Sequence, residues 1–81
     1  MATNHELALY VMTGCPYCLK VKHFLADNGV TIPERNISTD TEAEQTLIAV
    51  GGKRQVPCLF IDGKPLYESS DIIAWVQENL L

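Results

Sequence analysis

Cys15-Pro16-Tyr17-Cys18 places two thiols three positions apart in a chain of 81 residues. A pair so spaced can carry electrons by opening and closing a disulfide, or it can supply two ligands to a metal. Redox use asks for more than spacing. One thiol must ionise near neutral pH, and the second must reach the mixed disulfide that the first forms. Leu7-Ala8-Leu9-Tyr10-Val11 is a short apolar run that suits a strand buried on both faces, and Thr13-Gly14 interrupts it. Pro16 fits the first turn of a helix, where its missing N–H is not needed. Cys15 then stands at an exposed N-cap, where free N–H groups and the positive end of the helix dipole favour a thiolate. Cys18, nearly one turn on, faces the same side, is partly sheltered, and is placed to resolve the mixed disulfide. Two plainer readings stay open: Cys18 as core filler, and Cys15, Cys18 and Cys58 together as metal ligands. Zinc takes four well-placed ligands, and neither His5 nor His23 has ligand spacing to the pair, so no metal is expected.

The elements needed to hold this pair can be read along the chain. A helix from Pro16 to about Asn28 has Val21, Phe24 and Leu25 on one face, turns Lys20, Lys22 and Asp27 to water, and stops at Asn28-Gly29. Thr31 to Ile37 reads as a second strand, and Pro33 assigns it to an edge. Thr39 and Glu42 have capping-box spacing for a helix to about Val50, ended by Gly51-Gly52. Cys58-Leu59-Phe60-Ile61 and Pro65-Leu66-Tyr67 form a hairpin across Asp62-Gly63. Ser69-Ser70 should cap a last helix through Leu80, with Ile72, Ile73, Val76 and Leu80 inward and Trp75 partly buried. The order β-α-β-α-β-β-α predicts an α/β domain: a four-stranded mixed sheet, its first two strands parallel, flanked by three helices. One domain over residues 1–81 is expected, with residues 1–6 a frayed tail.

Composition removes several function classes. Six basic residues stand against ten acidic ones, a net charge of -4, so the basic stripe of a nucleic-acid binder is missing. The local spot Lys53-Arg54 suits one carboxylate, not a duplex. No apolar run approaches the ~20 residues that span a bilayer, and Met1 to Glu6 lacks the layout of a secretory signal. Three cysteines without such a signal argue against a secreted disulfide scaffold. A cytoplasmic monomer without nucleic-acid or membrane partners is the expectation.

Tyr10 with the CPYC motif, Gln55-Val56-Pro57, and Phe60-Ile61-Asp62-Gly63 leading to Tyr67-Glu68-Ser69-Ser70-Asp71 together resemble a small dithiol glutaredoxin of the thioredoxin superfamily. The resemblance runs from about Leu7 to Leu80. It implies a thioredoxin fold and reduction of protein disulfides and glutathionylated proteins at the expense of glutathione, with Cys15 and Cys18 as the catalytic pair. It also implies a glutathione-binding set of Tyr17, Val56, Pro57, Glu68, Ser69 and Ser70. Within that set Pro57 is cis, and the Val56 backbone pairs with the cysteine of glutathione. Ser69 and Ser70 donate to the γ-glutamyl carboxylate, and Glu68 meets the ammonium.

The chain departs from the family pattern in two places. Two glycines usually stand where Tyr67 and Glu68 do, and an acidic residue where Ser70 does; Glu68-Ser69 instead resembles the glutathione-binding pair of the glutathione transferase N-terminal domain. Met12 stands where many glutaredoxins have a lysine, which leaves Lys53 or Arg54 to hold the glycyl carboxylate unless both are solvated surface charges. Cys58 reads as a small buried hydrophobe, or more sharply as a regulatory or glutathionylated thiol. Rival functions are a redoxin reduced by thioredoxin reductase, serving for example ribonucleotide reductase; an iron–sulfur scaffold shared through Cys15, which Pro16 disfavours; and a glutathione-binding module without turnover.

Overall fold

The computed structural model describes residues 5–81. Its elements run β1 (Leu7–Val11), α1 (Pro16–Asp27), β2 (Glu34–Asn36), α2 (Thr41–Gly51), β3 (Cys58–Ile61), β4 (Lys64–Tyr67) and α3 (Ser69–Asn79). The sheet order is β2-β1-β3-β4, with β1 parallel to β2 and antiparallel to β3, and β3 antiparallel to β4. This is the thioredoxin fold.

Alternation along the central strands assigns the two faces. Leu9, Val11 and Leu59 point to one side, where they pack with Val21 and Leu25 of α1 and with Ile72 and Val76 of α3. Tyr10, Cys58 and Phe60 point to the other, where Ala43 and Leu47 of α2 cover them. Cys15 and Cys18 belong to the first of these cores, so the reactive end of α1 is part of the packed interior.

Four local expectations change. The second strand is shorter than Thr31 to Ile37: only Glu34–Asn36 pairs regularly, at the expected edge, while Ile32 leaves the ladder to enter the core. The cap of α2 is Asp40 and not Thr39, its carboxylate accepting from the Ala43 N–H at 3.0 Å. Thr39 is used in the preceding turn, where its N–H and hydroxyl both donate to the Asn36 carbonyl. Gly51 stays helical, and Gly52 (φ 82) makes the left-handed stop. Finally, the expected frayed tail is tied down at its inner end. His5 Nδ1 and the Glu6 N–H both meet the Asp62 carboxylate at 2.8 Å, and His5 lies edge-on to the partly buried Trp75. The remainder of that tail, residues 1–4, lies outside the described residues.

Asp62 (φ 52) and Gly63 (φ 83) both take positive φ, the geometry of a tight hairpin turn that matches strand twist. No helix among the described residues is long and apolar enough to cross a membrane.

Candidate active site

β1 ends at Val11, and the chain turns through Gly14 (φ 77) to start α1. The turn is braced from the side. The Thr13 N–H donates to the Ser38 hydroxyl at 3.2 Å, and Asn36 Nδ2 donates to the Thr13 hydroxyl at 3.0 Å. Cys15 is the N-cap with extended backbone (φ -87, ψ 114), and Pro16 follows it in the first turn. The Cys15 sulfur accepts the Cys18 N–H at 3.3 Å, and the Cys15 carbonyl accepts from Leu19 at 3.1 Å. A thiol therefore occupies the place usually taken by a capping hydroxyl or carboxylate, with the Cys18 N–H aimed at its sulfur.

All three cysteines are free thiols. Cys15 is not the exposed N-cap that its position suggests: only 7% of it is accessible, because the Thr13-Gly14 turn folds it onto Val11 and Cys18. Cys18 is deeper, at 2%. Burial, reinforced by the hydrogen bond that its thiol gives to Cys15, pushes the Cys18 thiol up to about 12. It is protonated at neutral pH and is the less available nucleophile of the two.

A groove of about 400 Å³ opens beside this pair. It is lined by all six residues of the expected glutathione-binding set: Tyr17, Val56, Pro57, Glu68, Ser69 and Ser70. Tyr17, 65% exposed, stands at its α1 side. The Val56–Pro57 bond is cis. The far side is the start of α3, and here the capping expectation is corrected. Glu68, not a serine, is the N-cap; its backbone is at φ 70, ψ 135, and no side chain caps the helix. Ser69 and Ser70 thus fall inside the first turn, Ser69 buried and Ser70 exposed. The result is a helix N-terminus whose N–H groups are left for an anion. Strained backbone of this kind in a residue other than glycine is commonest at binding sites.

Sequence reasoning overlooked two lining residues, Lys20 and Gln55. Lys20 had been assigned to solvent, although it lies three residues after Tyr17 and so on the same helical face. Neither Lys53 nor Arg54 lines the groove. Arg54 Nε is paired with Glu44 at 2.7 Å, and the Lys53 ammonium sits 4.6 Å from the centre of the Tyr67 ring. Met12, where a lysine was missed, packs against both cores. Among the described residues, no group of three or more His, Cys, Asp or Glu is placed to hold a metal ion.

Two thiols at the first helix start and a cis proline directly ahead of β3, on a four-stranded mixed sheet of this order, define a dithiol protein of the thioredoxin superfamily. Solved structures agree. The thioredoxin-like protein BC3987 matches with a TM-score of 0.74 and 28% identity, covering 89% of this chain and 96% of that one. The holo form of glutaredoxin C1 from Populus tremula x tremuloides matches with a TM-score of 0.70 and 25% identity, over 91% and 76% of the two chains. The Glutaredoxin family model matches residues 7–66, and Glutaredoxin 1 of Rickettsia felis is 38% identical over 63 residues. The chain belongs to the glutaredoxin family. That alignment covers 75% of this chain but only 62% of the length of the Rickettsia protein.

Proposed function

We propose that this protein is a glutathione-dependent thiol–disulfide oxidoreductase acting on disulfide-bonded and glutathionylated proteins in a reducing compartment, the cytoplasm. The observation that carries the reading is the groove joining the sulfur-capped start of α1 to the uncapped start of α3. Glutathione has a thiol in its middle, a carboxylate at each end and one ammonium. Val56 offers backbone to the central cysteine, in the manner of an added strand. The first turn of α3, with Ser69 and Ser70, receives the γ-glutamyl carboxylate, and Glu68 its ammonium. Lys20 is the cation available to the glycyl carboxylate, the task first assigned to Lys53 or Arg54.

The Cys15 thiolate attacks the glutathione sulfur of a mixed disulfide, and the protein thiolate leaves and takes up a proton. A second glutathione thiolate then attacks the sulfur held on Cys15. Oxidised glutathione departs, formed from that thiol and the glutathione taken from the substrate, and the Cys15 thiolate is restored. On a protein disulfide, Cys18 passes its proton to the departing substrate thiolate as it attacks Cys15, leaving a Cys15–Cys18 disulfide for two glutathiones to reduce.

A coupled assay on a small glutathione mixed disulfide tests this. Turnover with glutathione and glutathione reductase is expected. Turnover only with thioredoxin reductase would overturn it in favour of the second reading, a thioredoxin-reductase-linked redoxin.

A further inference from the structure

The two walls of the groove come from separate stretches of chain: Gln55-Val56-Pro57 ahead of β3, and Glu68-Ser69-Ser70 at the head of α3. One side chain ties them together. Tyr67 ends β4 and is bonded directly to Glu68, while its hydroxyl reaches back to donate to the Lys53 carbonyl at 3.1 Å. The Lys53 ammonium returns over the Tyr67 ring, 4.6 Å from its centre. The loop is thus gripped through both its backbone and its side chain, two residues before Gln55.

The hydroxyl is itself held. It shares a side-chain hydrogen bond with Cys58, which is fully buried and follows Pro57 directly. Burial pushes the Cys58 thiol up to about 11, so it keeps its proton. The Tyr67 hydroxyl donates to the Lys53 carbonyl, and the Cys58 thiol lies against the same hydroxyl. On the remaining side lies Gly51, where an added Cβ would overlap the Tyr67 hydroxyl and crowd the ring carbon that bears it. Gly51 is helical and has no positive φ, so its backbone does not call for glycine. The space taken by the hydroxyl does.

We propose that Tyr67 is a positioning residue that sets the spacing between the two walls, keeping Val56 in register with Ser69 for one extended thiol peptide. This rests on reading the groove as the glutathione site. Tyr67 touches no reacting atom; it acts through Lys53, two residues ahead of one wall, and through Glu68 on the other.

Tyr67→Phe keeps the ring and removes only the hydroxyl. Losing one hydrogen bond of ordinary strength is expected to raise KM for the glutathione mixed disulfide about fivefold, with kcat within about twofold of the parent. The rate at which iodoacetamide alkylates Cys15, which does not use the groove, should stay unchanged. Gly51→Ala displaces the same hydroxyl from the other side and should raise KM similarly. Because both changes break one contact, the double variant should be no worse than Tyr67→Phe alone. Additive losses, or an unchanged KM in Tyr67→Phe when the parent saturates normally, would overturn the proposal. A parent that does not respond to glutathione would instead defeat the reading of the site. The tie is then judged by amide chemical shifts of the ligand-free protein. Tyr67→Phe is expected to move Gln55 and Val56 together with Ser69 and Ser70, and movement confined to Lys53 and Cys58 would refute it.

Discussion

The starts of α1 and α3 border the same groove and are built on opposite plans. At the first, Cys15 folds its sulfur back onto the Cys18 N–H, Pro16 removes one donor, and the turn is braced by Ser38 and Asn36. At the second, Glu68 is driven to φ 70 with no capping side chain, and the donors of Ser69 and Ser70 are left open. The start of α2 is the control, an ordinary cap in which Asp40 accepts from Ala43 and pairs with Arg35 at 3.2 Å. A helix terminus can turn its field on a group of its own or hold it for a guest. This molecule does one at each end of the groove, which under the proposed function separates the reacting sulfur from the part that recognises the ligand.

The largest effect should come from breaking the first start. Cys15→Ser is expected to abolish reduction of both glutathione mixed disulfides and protein disulfides. Cys18→Ser should retain the first reaction and lose most of the second, because the buried partner is needed only for resolution. Rates on the two substrates, measured side by side, check this. The reverse pattern would mean that Cys18 is the attacking thiol.

Glu68→Gly tests the second start and should divide its two roles. Glycine adopts φ 70 without the side-chain clash, so Tm should rise by a few degrees, strain of this kind being roughly 1 kcal/mol. Loss of the carboxylate should at the same time raise KM for glutathione several-fold. A rise in Tm with KM unchanged would show that Glu68 serves the backbone only. Lys20→Gln gives the matching loss at the α1 side, about threefold in KM for an exposed charge.

A smaller effect concerns pH. Cys18 and Cys58 are pushed up to about 12 and about 11, while the same thiols in the unfolded chain ionise near 9.0. Raised folded values favour the folded protein below pH 9, and this advantage is lost as pH climbs from about 9 through about 11 to 12. Thermal melts over that range should fall steadily, and Cys58→Ala should flatten the slope. Asp40 runs the other way. The Ala43 N–H and then Arg35 hold its carboxyl below the usual carboxylate range. Its contribution is present above the unfolded value and disappears as pH falls through the folded one. The smallest effect is Asp40→Ala, which should lower Tm slightly, remove that acid dependence, and leave turnover untouched.

The order of elements and the placing of the cysteines were legible because each rests on a local rule: the break at Thr13-Gly14, proline in the first turn, and the Asp62-Gly63 hairpin. The start of α3 was misread because serine is a common cap and glutamate at positive φ is not. Nothing in Tyr67-Glu68 announces a conformation that the surrounding fold imposes. Thr39 and Asp40 are neighbouring candidates for one cap, and only the turn from Asn36 decides between them. Lys20 was hidden because a polar helical face looks the same whether it meets bulk water or a groove. Lys53 and Arg54 misled because their partners, Tyr67 and Glu44, are distant in sequence.

The outer strands of the sheet carry a consequence of another kind. A strand edge is a row of unused donors and acceptors on which a foreign chain can grow. One border here is only Glu34–Asn36, with two charged residues of three; the other opens with Lys64 and Pro65, an ammonium and a residue without an N–H. Borders built this way give a neighbouring strand little to template on.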